Sequence, residues 1–153
     1  MLAAAIAAHT APPSFADPSE EDPQAVVSDH NYTTGKQAIE RTNWQRAAWH
    51  FDLAALRYPD NADVHNYLGY AYRQLGKLDL AFKHYKLALK LNPRHRGAHE
   101  YIGEAYLMAG DLAGAQKHLA ALREICLLPC GELADLEREI KEYRANSRAT
   151  GSR

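Results

Sequence analysis

Two cysteines and eight histidines are the residues of this 153-residue chain whose types and spacing invite chemistry. Cys126 and Cys130 are separated by Leu-Leu-Pro, and Pro129 disfavours helix at Leu128, so the two thiols should flank a turn. Three readings of the pair stay open. A structural disulfide is the default if the chain is exported, a redox or Cu(I) site is the second because two thiolates hold a soft ion, and two free buried thiols are the third. A disulfide would require Cα atoms about 4.4–6.8 Å apart with converging side chains. Among the histidines, His50, His84 and His118 recur at one interval. Equivalent points on neighbouring packed helices lie about 10 Å apart, too far for one ion with bonds near 2 Å. His95 and His99 are four apart but straddle a turn, which suits partly exposed helix-end residues better than ligands. No metal is expected.

Catalysis finds little to work with. The chain has no Gly-rich phosphate loop, nucleophile elbow, metalloprotease motif or haem-attaching Cys-x-x-Cys-His. Asp135, Glu137 and Glu139 line up as an ordinary solvated helix face. The expectation is a non-enzyme without a cofactor. Formal charge is −1, with basic and acidic residues interspersed. The one basic knot, Lys90, Arg94, His95 and Arg96, falls where cations suit a helix dipole, so nucleic acid is not an expected partner. No stretch approaches the roughly twenty apolar residues of a membrane span.

The elements that must position these residues announce themselves by repetition. Offset by thirty-four residues, the sequence aligns Gly35, Gly69 and Gly103; Ala47, Ala81 and Ala115; and Phe51, Tyr85 and Leu119. Thr34, Leu68 and Ile102 share a column, as do Trp44, Leu78 and Leu112, and Ala54, Ala88 and Leu122. Within the middle copy, Val64, Leu68, Ala71, Tyr72 and Leu75 form one helical stripe. Leu78, Ala81, Phe82, Tyr85, Ala88 and Leu89 form a second. Gly76 should take a left-handed conformation between them, and Asn92-Pro93 should close the second helix. Gly69 against Ala81, and Gly103 against Ala115, are expected where the helices cross. A fixed period of this size marks a solenoid, in which each unit buries its apolar face only against its neighbours.

Leu68-Gly69, Tyr72, Gly76, Ala81, Tyr85, Ala88 and Pro93 together resemble the tetratricopeptide repeat, over roughly residues 28 to 129. The resemblance implies an all-α, right-handed α-solenoid of three helix hairpins, at 28–61, 62–95 and 96–129. A one-sided helix over residues 130–145, with Leu133, Leu136, Ile140 and Tyr143 inward, should cap it. Seven helices and no strands are expected. Residues 146–153 read as a disordered tail and 17–27 as a Pro-rich acidic linker. Residues 1–16 read as a disordered Ala/Pro-rich tail or, in preference, as a signal peptide, with Leu2 to Ala8 as the apolar run and Ser14-Phe15-Ala16 before the cleavage point. That favours a periplasmic or exported protein over a cytoplasmic one. The cysteine pair before the last helix also resembles small exported proteobacterial tetratricopeptide proteins.

The resemblance implies that first helices line a concave groove for a partner polypeptide. The matching face carries Tyr32 and Lys36, then Asn66, Tyr70, Arg73 and Gln74, then Glu100, Glu104 and Leu107. Tyr70 and Arg73 are expected to project into open space. Chaperone-binding relatives clamp a C-terminal carboxylate with lysines, asparagines and an arginine. Lys36, Asn66 and Arg73 match that set, whereas Tyr70, Glu100 and Glu104 depart from it. The reading is a protein-binding scaffold of unspecified partner, with self-association as a further option. Its alternative is a metal- or thiol-handling accessory protein that uses Cys126 and Cys130.

Overall fold

A computed structural model describes residues 23–151, and among them it holds eight helices and no strands. These are α1 (Pro23–Val27), α2 (His30–Glu40), α3 (Trp44–Arg57), α4 (Ala62–Gln74), α5 (Leu78–Leu91), α6 (Arg96–Met108), α7 (Leu112–Ile125) and α8 (Gly131–Gly151). The pairs α2/α3, α4/α5 and α6/α7 are the three hairpins. Each second helix also packs on the first helix of the next hairpin, and α8 lies across both α6 and α7. The result is a helical solenoid. The signal-peptide reading of residues 1–16 falls outside the described residues.

Side-chain oxygens or a ring nitrogen start most of the helices. Asp29, Asn43, Asn61 and Asp111 accept backbone N–H groups of the first turn, and His95 Nδ1 does the same for Ala98. The first helix of every hairpin ends alike. In the middle one, Gly76 N–H donates to Arg73 and Lys77 N–H to Tyr72, a Schellman arrangement with Gly76 at φ 71°. Gly110 repeats it at φ 80°, whereas the same position in the first hairpin is Thr42, at φ 52°.

The repeating glycines make room for a large side chain, and the expected crossing partners need correcting. A Cβ on Gly35 would lie 2.9 Å from the Phe51 ring, and one on Gly69 would lie 2.7 Å from the Tyr85 ring. Ala81 is fully buried, but it stands one turn before Tyr85 and is too short to cover the glycine. At Gly103 the occupant is Leu136 of α8, 2.6 Å from a hypothetical Cβ, and not Ala115. The third hairpin has Leu119 where the others have an aromatic ring, so the cap fills the space.

Two boundaries also move. One turn of helix, α1, stands inside the stretch expected as linker, because Val26 is buried against the core that includes Tyr32. Tyr58 Oη donates to the Ala25 carbonyl and Arg57 pairs with Asp29 at 3.2 Å, which helps hold that turn. At the other end α8 continues helically to Gly151, through most of the expected tail. Its inward face is the expected one, with Leu136 and Ile140 buried and Leu133 and Tyr143 packed beside them.

A polar ladder, not foreseen from the sequence, links the two helices of each hairpin. Asn31 meets His50 at 3.0 Å, His65 meets His84 at 3.2 Å, and His99 meets His118 at 2.9 Å. His65 Nε2 faces the Pro59 carbonyl at 2.7 Å, and His99 Nε2 faces that of Pro93 at 3.0 Å. A carbonyl only accepts, so the proton of His65 and His99 sits on Nε2 and their Nδ1 is the acceptor. His84 and His118 therefore donate from Nδ1. Burial, then the partner histidine and an adjacent lysine, push both of these down to about 4. His99 is thus a buried member of a pair and not a half-exposed helix-end residue.

Candidate partner-binding groove

The face shared by α2, α4 and α6 begins as a series of rings. Tyr32 is buried and meets Phe51 and Tyr67 edge-on, while Lys36 stands exposed over the faces of Tyr32 and Tyr67. Half-buried Tyr70 lies 4.9 Å from Tyr101 and 5.7 Å from Trp44 of α3. Tyrosines of this kind offer contact area at low entropic cost together with a polar tip.

Arg73 corrects the sequence reading most directly. It does not project into open space: it is 8% exposed, and its guanidinium lies over both Tyr70 and Tyr101. Its Nη2 pairs with Glu104 at 2.6 Å and its Nη1 sits 4.0 Å from Met108 Sδ. The arginine spans from α4 to α6 and cements the second hairpin to the third. Asn66 and Glu100 are buried as well, and Leu107 packs in the apolar cluster beside Leu136. Of the expected groove residues, Lys36 and Gln74 are the fully exposed ones. The periodicity placed all nine on one side of the first helices, but it could not foresee how far the neighbouring hairpin covers them.

Burial leaves some of these groups unsatisfied. Among the described residues, Asn66 Oδ1 is buried without a hydrogen-bond partner, whereas the Arg73 guanidinium and the Tyr85 hydroxyl face each other in the interior. Glu100 has no ion pair or hydrogen bond there, although it is only 9% exposed. Burial, followed by Glu104, Asp135 and Glu132, pushes its carboxyl up to about 8. Glu104 is raised too, by burial first, with Arg73 opposing. Asp135 and Glu139 lean on Arg138 of their own helix, and Glu132 on Arg96. The sequence missed the part that α8 plays here, because its acids were read only as a solvated surface.

The cysteines lie elsewhere, where α7 gives way to α8. Their Cα atoms are 6.0 Å apart and their sulfur atoms face each other, the geometry of a disulfide. No cluster of three or more metal-ligating side chains converges among the described residues, and no helix there is long and apolar enough to cross a membrane.

Residues 62–95 match a tetratricopeptide repeat family model, and residues 83–125 match a second one. The stretch from residue 62 to residue 125 is therefore similar to tetratricopeptide repeats. A search of curated proteins finds no match. Among solved structures, the fold resembles the TPR2B domain of yeast Sti1 in complex with an Hsp70 peptide, with a TM-score of 0.70 at 16% identity over 76% of this chain and 94% of that one. It also resembles the first TPR domain of Spaghetti (RPAP3) bound to the HSP90 peptide SRMEEVD, with a TM-score of 0.69 at 21% identity, covering 81% and 96%. The type III secretion translocator chaperone SycD of Yersinia enterocolitica gives 0.71 at 15% identity, covering 84% and 90%. At such identities these likenesses speak to fold alone. None of them supports the narrower resemblance to exported proteobacterial proteins, or a metal- or thiol-handling role for the cysteines.

Proposed function

We propose that this protein is a non-enzymatic scaffold that holds a segment of another polypeptide along the face of α2, α4 and α6. The observation that carries the reading is the buried, unpaired Asn66 Oδ1 on α4, on a face walled with tyrosines. Buried polar groups are ordinarily paired, and an unmade bond costs about 1–3 kcal/mol, so an open amide on this face suits a surface completed by a ligand. The printed descriptions of two structural neighbours, peptide complexes of Sti1 and Spaghetti, agree with that use of the fold. A carboxylate clamp is not the mode favoured here, because Arg73 already holds Glu104.

The cysteine pair is read as a structural staple between the third hairpin and the cap, in a protein exported to an oxidising compartment. The test of the scaffold reading is site-specific photo-cross-linking from position 70 in the native cell, followed by mass spectrometry. A discrete cross-linked polypeptide, lost when the probe is moved to exposed Lys83 on α5, supports it. Equal labelling from both positions overturns it.

A further inference from the structure

The scaffold reading leaves the chemistry of the partner open, and the groove narrows it. Five carboxylates gather where α6 meets α8: Glu100, Glu104, Glu132, Asp135 and Glu139, as their mutual influence on Glu100 and Glu104 records. Three arginines serve them. Arg73 takes Glu104 at 2.6 Å, Arg96 takes Glu132 at 3.6 Å, and Arg138 takes Asp135 at 2.6 Å and Glu139 at 3.7 Å. Glu100 has none, and it is the most buried acid of the group.

A second observation points the same way. Asn66 occupies in the middle repeat the position that Glu100 holds in the third. It is 4% exposed with Oδ1 unpaired. Its amide reaches across to α6, where Nδ2 lies 3.3 Å from the Cβ that Gly97 lacks, one turn before Glu100. The Asn66 amide therefore lies against α6 one turn before the carboxyl of Glu100, which has no ion pair. Tyr101, the next residue after Glu100, and Tyr70 add ring faces that already accommodate one guanidinium. The missing complement is a cation with several N–H donors.

We infer that the groove recognises a basic segment, and that an arginine or lysine side chain of the partner enters beside Asn66 and pairs with Glu100. Resting on the scaffold reading, this makes the specificity opposite in charge to that of the acidic peptide held by Spaghetti. An arginine satisfies the carboxylate with two parallel N–H groups and leaves others for the amide oxygen, so arginine should be preferred to lysine.

A random dodecapeptide display library selected on the full chain supplies the probe, and the winners are remeasured as free labelled peptides. Enrichment of arginine or lysine at one position is expected. Glu100→Gln should weaken those peptides by tenfold or more, as loss of a buried counter-ion does, while replacing the peptide's arginine by citrulline should abolish the difference between the two proteins. Melting curves of Glu100→Gln at neutral pH should match or exceed those of the parent, which separates binding from folding. Tyr70→Ala and Gln74→Ala variants tell the two readings apart. If winners ignore both substitutions, or none emerge, the groove itself fails as a binding site. If winners need Tyr70 yet show no basic preference, or bind Glu100→Gln unchanged, the scaffold stands and the cationic inference falls.

Discussion

The histidine ladder and the groove both bury polar groups between helices, and they treat those groups in opposite ways. In the ladder every ring nitrogen that faces inward has a partner: His65 receives from His84 and donates to Pro59, and the third hairpin repeats the arrangement. In the groove, Asn66 Oδ1 is buried without a partner and Glu100, 9% exposed, has no ion pair among the described residues. A closed network rigidifies what it joins, whereas an open one is costly until something completes it. Polarity alone therefore does not mark a functional face in this solenoid. Incompleteness does.

Four perturbations test that contrast. The largest effect belongs to Gly69→Leu, which drives a side chain into the Tyr85 ring between the two regions. A loss of about 3 kcal/mol in denaturant unfolding is expected, together with loss of groove binding. Next comes His65→Ala, which strands the His84 donor and deletes a buried ring. It should cost about 2–3 kcal/mol and leave peptide affinity unchanged; an affinity change would blur the two regions.

Acid and base should act on the two regions with opposite sign. His84 and His118 titrate near 6.5 when unfolded and about 4 when folded, so the unfolded chain takes up their protons first. Their contribution is complete above pH 6.5 and is lost as pH falls toward 4. Glu100 is raised from 4.5 to about 8, so its folded form keeps a proton that the unfolded form gives up, and stability falls as pH rises through that window. Melting temperatures of Glu100→Gln should exceed those of the parent at pH 8 and converge with them near pH 4. Parallel curves would remove Glu100 from its buried setting. The smallest effect is that of Cys126→Ser with Cys130→Ser, which opens a short loop at the cap and should cost at most about 2 kcal/mol without touching the groove. No titratable thiol should be found in the purified protein before reduction.

Much of the solenoid could be read from the period, because Gly76 takes the left-handed turn expected of it and Gly110 repeats it, whereas the side chain over Gly69 is Tyr85 and not the expected Ala81. The side of α4 that carries Tyr70 and Arg73 could be read too. Their depth could not, since it depends on how closely α6 approaches, and a register of thirty-four residues says nothing of that distance. The ladder escaped notice for a related reason. His84 and His118 align with each other in sequence, but their partners lie nineteen residues back on the opposite helix. Leu136 at Gly103 escaped because the cap belongs to no repeat.

Thr42 carries a consequence for the direction in which the molecule comes apart. Its β-branched side chain sits at φ 52°, where the other two hairpins have glycine, and such strain costs on the order of 1–2 kcal/mol. In a stack whose units touch only their neighbours, the least stable unit frays first. Amide protons of α2 and α3 should therefore exchange with deuterium before those of α4 to α7, and limited proteolysis should trim the chain from its amino-terminal hairpin inward. The groove would then shorten from the Lys36 end while the acidic cluster between α6 and α8 remained whole.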